Sequence, residues 1–143
     1  MDFDAVVIGA GPAGLMAAEE LARAGHSVLV AEAKPSVARK LLMAGKSGLN
    51  LTKDESFDQL ISNYVEAKDW LAPMIRDFDS QAVQDWARGL GVDLFTGSTG
   101  RVFPKVMKAS PLVRAWLQRL TELGVQRRTG WFWRGWHGAD LQF

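Results

Sequence analysis

Two short apolar runs near the start of the chain have the composition of buried strands. Residues 5–8 read AVVI and residues 27–32 read SVLVAE, and such runs are typical of strands covered on both faces. Between them, four apolar residues recur at helical spacing: Leu15, Ala18, Leu21 and Ala22. The pattern predicts a helix that stops at Gly25, and its length makes a parallel β-α-β unit the expected arrangement.

The middle of the chain predicts a loop followed by helices. Residues 33–55 are irregular and glycine-rich, with one helical turn expected around residues 39–43. Residues 56–90 carry apolar residues at helical spacing, interrupted by Pro73, which is expected in a first turn or at a break. The segment therefore predicts a helical region after the first β-α-β unit.

The last third of the chain predicts a hairpin, a helix and further strands. Residues 92–104 read VDLFTGSTGRVFP, two β-prone pieces around a turn, which predicts a β-hairpin. The next helix is expected to have Ser110 as its cap, Pro111 in its first turn and Gly124 as its stop. Apolar and polar residues alternate in 125–143, and this alternation predicts strands. The fold class is therefore α/β, a Rossmann-like βαβ unit with a mostly parallel central sheet plus helices and a hairpin.

Composition narrows the class of protein only slightly. The 143 residues carry 17 Lys and Arg against 16 Asp and Glu, a formal charge of +1, so no overall charge favours nucleic acid or a membrane surface. The absence of cysteine excludes disulfides within the chain and fits a reducing compartment. His26 and His137 have no metal-ligand spacing, so no metal site is expected. We expect a soluble, cytoplasmic protein without a nucleic-acid or membrane partner.

The turn between the first strand and the first helix has the spacing G-x-G-x-x-G. Gly9 permits the tight turn, Gly11 lets a diphosphate approach the backbone, and Gly14 lets helix and strand pack closely. Pro12 and Ala13 lie between the last two glycines, where helix amides would face the anion. The alternative is an ordinary βαβ turn without a ligand.

An acid stands at the end of the second predicted strand. Glu32 follows Gly14 by 18 residues, where a carboxylate can accept hydrogen bonds from ribose hydroxyls, and Ala33 follows it. A 2′-phosphate would meet the negative charge of Glu32, so the expected ligand is NAD-like or FAD-like. No catalytic residues can be assigned, and a flavin would need none of the usual acid-base sets.

Two stretches resemble the BaiN/YhiN-like bacterial flavoproteins, relatives of flavoproteins with two dinucleotide-binding domains. These are VVIGAGPAGLMAAEELARAGHSVLVAEAKPSVARKLLMAGKSGLNLT, from residue 6, and GRVFPKVMKAS, residues 100–110. The resemblance implies an oxidoreductase whose first βαβ unit holds the ADP half of FAD, with NAD(P)H as a candidate electron donor. It adds five cofactor-binding positions: Arg39, Lys40, Leu41, Gly45 and Asn50.

The family's longer members suggest that this chain is an amino-terminal part of a larger FAD-binding domain. Its expected segments are a βαβ unit with a cofactor loop at 1–55, a helical region with a hairpin at 56–124, and strands at 125–143. Residues 44 and 46–49 depart from the family's glycine-rich run, so roles of side chains there do not carry over. We expect this chain alone to hold FAD weakly or not at all, to be inactive, and to self-associate through apolar edges.

Three alternatives remain at this point. A non-catalytic module could hold NAD or an adenine nucleotide with the same turn. Arg39 and Lys40 could be a solvated surface pair. Trp131, Trp133 and Trp136, near several arginines, could stack on nucleic acid, although we expect them to fill a sheet face with Trp131 and Trp133 on the same side.

Overall fold

The computed structural model describes residues 2–143, which form two compact units. The first unit combines the chain up to Met43 with Val113–Phe143, and the second is Ala44–Leu112. The first unit is therefore discontinuous in sequence, and its two boundaries fall within helices.

The first unit contains the parallel sheet that the apolar runs predict. The elements of this unit are β1 (Ala5–Ile8), α1 (Pro12–Arg23), β2 (Val28–Glu32), α2 (Arg39–Ala44), α6 (Ala109–Glu122), β6 (Gln126–Thr129), β7 (Gly135–His137) and β8 (Asp140–Gln142). Helices α2 and α6 cross the unit boundary. The strands of the sheet are ordered β1-β2-β6, and both neighbouring pairs are parallel. A separate antiparallel hairpin joins β7 to β8.

Helix α1 follows the predicted start and stop signals. Pro12 occupies its first turn, where a missing backbone N–H costs nothing. Leu15 and Ala18 are completely buried, and burying a leucine side chain contributes about 1.5–3 kcal/mol. The helix ends at Arg23, and Gly25 takes the left-handed φ of +89° that turns the chain toward β2.

A buried carboxylate connects α1 to α6 within the first unit. Glu19 is 1% exposed, and its Oε2 accepts a hydrogen bond from Trp116 Nε1 at 2.7 Å. Its Oε1 lies 3.0 Å from Arg119 Nη1 and 2.8 Å from Arg23 Nη2. Since a buried carboxylate requires such partners, this cluster fixes how the two helices pack.

The start of β1 is tied to the start of β2 by a reciprocal pair of polar residues. Asp4 Oδ2 accepts from both the backbone N–H and the hydroxyl of Ser27, at 2.7 and 2.8 Å. The Asp4 N–H in turn donates to Ser27 Oγ. The hydrogen bonds from Ser27 lower the pKa of the Asp4 carboxyl because they favour its charged form.

The second unit is a helical region with a small antiparallel sheet. The elements of this unit are β3 (Thr52–Lys53), α3 (Phe57–Ser62), a 3₁₀ turn (Val65–Ala67), α4 (Lys68–Asp77), α5 (Ser80–Gly89), β4 (Leu94–Thr96) and β5 (Arg101–Pro104). The strands are ordered β3-β5-β4, and the β4-β5 pair confirms the predicted hairpin. Ser56 caps α3 and forms a capping box with Gln59, and Asp79 caps α5.

Two local predictions differ from the structure. Pro73 lies inside α4, neither in a first turn nor at a break. Ser110 lies within α6, which begins one residue earlier at Ala109, so it does not precede the helix as a cap. The strand β3 had no predicted counterpart, because its polar residues lack an alternating pattern and it pairs with the distant β5.

The expected placement of the tryptophans in a sheet core was wrong. Trp131 and Trp133 lie between β6 and β7, outside any strand, because Gly130 turns the chain with a φ of +74°. Trp133 is 38% exposed, and Trp136 on β7 is 66% exposed. The end of the first unit therefore presents aromatic side chains to solvent.

Candidate dinucleotide site

The glycine turn connects β1 to α1, and two of its glycines are required by the protein itself. Gly9 has a φ of +101°, and its N–H donates to the carbonyl of Ala31 at 2.8 Å. A Cβ on Gly14 would lie 2.0 Å from the carbonyl oxygen of Gly9. These two positions make a tight turn and bring helix and strand together, as the sequence predicts.

Gly11 differs from the other two glycines because the protein does not require it. Its φ of −78° and ψ of 178° suit any residue, and a Cβ there would meet no atom within 4 Å. No side chain caps this end of α1, where Pro12 is the first residue and Ala13 is exposed. The space beside Gly11 is therefore open toward the positive end of the helix dipole, which suits an anion.

Glu32 lies at the end of β2 with its carboxylate turned toward the glycine turn. Oε2 accepts from the N–H of Ala10 at 2.9 Å, and Oε1 accepts from the N–H of Lys34 at 2.8 Å. An ionised carboxylate offers about four acceptor positions, so each oxygen keeps one for a further donor. Ala33, the next residue, is exposed. Glu32 thus both holds the turn and faces the place where ribose hydroxyls are expected.

The basic pair lies on α2, in the same unit as the turn. Arg39 and Lys40 are exposed, and Leu41 is half-buried. Arg39 Nη1 donates to Ser36 Oγ at 3.2 Å. The arrangement leaves both positive charges accessible to a ligand, and their contact with phosphate stays a prediction.

Gly45 and Asn50, the remaining predicted positions, belong to the second unit. Gly45 is buried, and a Cβ there would lie 2.5 Å from Cβ of Ala109. This close packing is sufficient to explain why position 45 is a glycine. Asn50 is exposed. A cofactor-binding role for either residue stays a prediction.

Two backbone groups that build the site could not be identified from the sequence. The Lys34 N–H holds one oxygen of Glu32, and the Ala38 N–H donates to the carbonyl of Ala10 at 2.8 Å. Neither side chain suggests such a role, since the donors are main-chain groups. The bond from Ala38 to Ala10 also joins distant residues, and such a backbone hydrogen bond leaves no local pattern in the sequence.

An aromatic cavity occupies another part of the first unit. It measures about 990 Å³ and includes Phe3, Trp131 and Trp136 in its walls, with Val6 and Leu29 from the sheet. The residues described as lining it include none of the predicted cofactor-binding positions. The cavity is therefore a feature separate from the glycine turn.

Two structural features are absent from residues 2–143. Over that range, no cluster of three or more His, Cys, Asp or Glu side chains is placed to hold a metal ion. Within the same range, no helix has the length and apolar character needed to cross a membrane.

A protein-family model described as "HI0933-like protein Rossmann domain" matches residues 3–143. The match includes both stretches that carry the resemblance noted from the sequence. It also extends through the helical second unit and the exposed aromatic end, so it accounts for nearly the whole chain.

Solved structures share the fold at low sequence identity. The 3-ketosteroid-Δ4-(5α)-dehydrogenase of Rhodococcus jostii RHA1 superposes with a TM-score of 0.63 at 18% identity, over 90% of this chain and 38% of that one. THI4 of Thermovibrio ammonificans gives 0.54 at 17% identity, over 95% and 43%. The L-amino acid deaminase of Proteus vulgaris gives 0.51 at 16% identity, over 98% and 43%. This chain thus spans less than half the length of each of these proteins.

Proposed function

This chain belongs to the HI0933-like protein Rossmann domain family, and on that premise we propose that it is an FAD-binding part of a flavoprotein oxidoreductase. The electron donor we propose is NAD(P)H. The observation that carries the proposal is the open space beside Gly11, which faces the start of α1 in the unit where Glu32 borders the turn. A diphosphate and its ribose require these two features together.

The residues of the first unit are proposed to hold the ADP half of the cofactor. Backbone N–H groups at the start of α1 would bind the diphosphate, and the free acceptor positions of Glu32 would bind ribose hydroxyls. When bound, the flavin ring supplies the electron-transfer chemistry. We propose that the exposed cations of α2 contribute electrostatically. For Gly45 and Asn50 we propose a cofactor-binding role on the family resemblance alone.

A second candidate is a non-catalytic module for NAD or another adenine nucleotide. One observation favours it: the contacts argued for Gly11 and Glu32 concern a diphosphate and a ribose, which FAD and NAD share. The flavin proposal rests in addition on family membership, which favours FAD over NAD.

Titrating the chain with ADP, FAD and NAD separates these candidates. If the first unit supplies most of the binding, ADP and FAD should bind with similar, weak Kd values, and the absorbance spectrum of FAD should differ between free FAD and FAD mixed with the protein. NAD binding much tighter than FAD binding would favour the non-catalytic module. Failure of all three ligands to bind would contradict both proposals.

Replacing Glu32 by alanine should weaken ADP binding by about 1.5–3 kcal/mol, because a charged acceptor of hydrogen bonds is lost. In the variant the N–H groups of Ala10 and Lys34 also lose their carboxylate acceptor, so the glycine turn loses a stabilising hydrogen bond. Calorimetric titration of the parent and the variant measures the loss. Glu20→Ala, an exposed acid on α1, is the control and should bind like the parent. Unchanged affinity in folded Glu32→Ala would refute the ribose assignment.

We also propose a cytoplasmic location and self-association. The lack of cysteine in the 143 residues supports a reducing compartment. Exposed aromatic side chains, Phe132 at 65% and Trp136 at 66%, support association through the end of the first unit. Sedimentation velocity over a range of protein concentrations tests the second proposal, and a concentration-independent monomer would contradict it.

A further inference from the structure

Ala38 has a backbone conformation that alanine rarely adopts. Its φ is +55°, in the left-handed region, and the residue is only 2% exposed. This region is unfavourable for a side chain with a Cβ, because the Cβ crowds the backbone carbonyl. Such strained residues persist only where surrounding contacts hold them, and they are often found at functional sites.

Two hydrogen bonds hold Ala38 in this conformation within the first unit. Its N–H donates to the carbonyl of Ala10 at 2.8 Å, and its own carbonyl accepts from the N–H of Leu42 at 3.0 Å. The first bond reaches back to the glycine turn, and the second starts α2. Ala38 thereby connects the turn to the helix that carries Arg39 and Lys40.

The bond to Ala10 acts on the N–H of Gly11, the residue directly before α1, which lies beside the open space proposed for the diphosphate. The carbonyl of Ala10 and the N–H of Gly11 belong to one planar peptide unit. Fixing that carbonyl therefore fixes the direction of the Gly11 N–H. The N–H of Ala10 is held from the other side by Glu32, at 2.9 Å, so Ala10 is restrained at both of its peptide units.

We infer that Ala38 is a positioning residue, which aims the Gly11 N–H at the diphosphate through the carbonyl of Ala10. This inference rests on the proposed function for its ligand. It concerns the preorganisation of the turn, since Ala38 contributes through its main chain and does not need to contact the nucleotide.

Two substitutions test this role with ADP as the probe. Ala38→Pro removes the N–H and forbids a positive φ, so ADP affinity should fall at least about tenfold. Ala38→Gly keeps the N–H and removes the strain, so it should raise the denaturation midpoint and bind ADP at least as tightly as the parent. Ile61→Val, a core change in the second unit, is the control for destabilisation. It should lower the midpoint and leave ADP affinity unchanged.

A folded Ala38→Pro variant that binds ADP within about twofold of the parent would overturn the inference. A similar loss of affinity in Ile61→Val would also overturn it, because general destabilisation would then explain the effect. Tenfold weaker binding by Ala38→Gly would count against it as well, since that variant keeps the proposed hydrogen bond.

If Ala38→Pro does not fold, hydrogen exchange on the parent protein tests the positioning role of Ala38. The Ala38 N–H should be protected without ligand, and ADP should slow its exchange further while leaving the Asn63 N–H of the second unit unaffected. An unprotected Ala38 N–H, or one that ADP leaves unchanged while binding, would overturn the inference. If the parent does not bind ADP at all, the proposed function fails, and the ligand-free protection still tests the Ala38 to Ala10 bond.

Discussion

Replacing Gly11 by valine is expected to abolish ADP binding while the first unit stays folded. The backbone of Gly11 suits any residue, and the added side chain would meet no protein atom within 4 Å of its Cβ. It would instead occupy the open space in front of α1, where the diphosphate must approach the backbone. We expect a loss of affinity of at least about a hundredfold, since the diphosphate would lose its helix amides.

Circular dichroism and a denaturation curve confirm the fold of Gly11→Val, and calorimetry with ADP measures binding. Ala17→Val is the matched control, because it adds bulk to an exposed position on the same helix. It should bind ADP like the parent. If folded Gly11→Val also binds like the parent, the glycine turn has only a structural role.

The neighbouring Gly14 provides a contrast within the same turn. There a Cβ would lie 2.0 Å from the carbonyl oxygen of Gly9. The two glycines belong to one motif, but they are needed for different reasons. Gly14 is required because helix and strand pack closely there. Gly11 is explained by the proposed ligand, which would occupy the space that a side chain would fill.

Replacing Glu19 by alanine should lower the free energy of unfolding by about 3–5 kcal/mol, as expected when one partner of a buried ion pair is removed. Trp116 Nε1 would lose its 2.7 Å acceptor, and the mostly buried Arg119 would lose its 3.0 Å partner. Such a loss is a large fraction of the stability of a typical domain. Urea denaturation, followed by tryptophan fluorescence, measures it.

The same cluster supplies a control and a compensating variant. Arg23 is half exposed, so Arg23→Ala should cost less than about 1 kcal/mol, as is usual for exposed ion pairs. The combined Glu19→Leu, Trp116→Phe and Arg119→Leu variant should recover much of the loss, because no buried charge is left unpaired. If Arg23→Ala lowers the free energy of unfolding as much as Glu19→Ala does, the stabilisation does not come from the buried partners Trp116 and Arg119, and the assignment is wrong.

Much of the fold could be predicted because its signals are local. The apolar run of β1, the helical spacing of α1 and the turn residues of the β4-β5 hairpin each lie within a few residues of one another. The glycine spacing and Glu32 are likewise local features of one βαβ unit. These features also led to the resemblance to a family that the comparison with family models confirms over residues 3–143.

The aromatic end of the chain shows where local reasoning fails. Alternation of Trp131 and Trp133 predicts a buried sheet face, but the turn at Gly130 removes these residues from β6. The alternation rule applies only while the chain continues as a strand. Whether it continues depends on available pairing partners, which the local sequence does not specify.

By itself, the sequence determined the βαβ unit, the hairpin and the positions of the turn glycines and the acid, because each depends on neighbours in the chain. Only the tertiary structure decided that β6 pairs with β2, that Glu19 meets Trp116, and that Ala38 restrains Ala10. Glu19 and Trp116 are 97 positions apart. Such contacts form when packing brings distant segments together, and the burial and strain that they impose on a residue leave no periodic pattern around it.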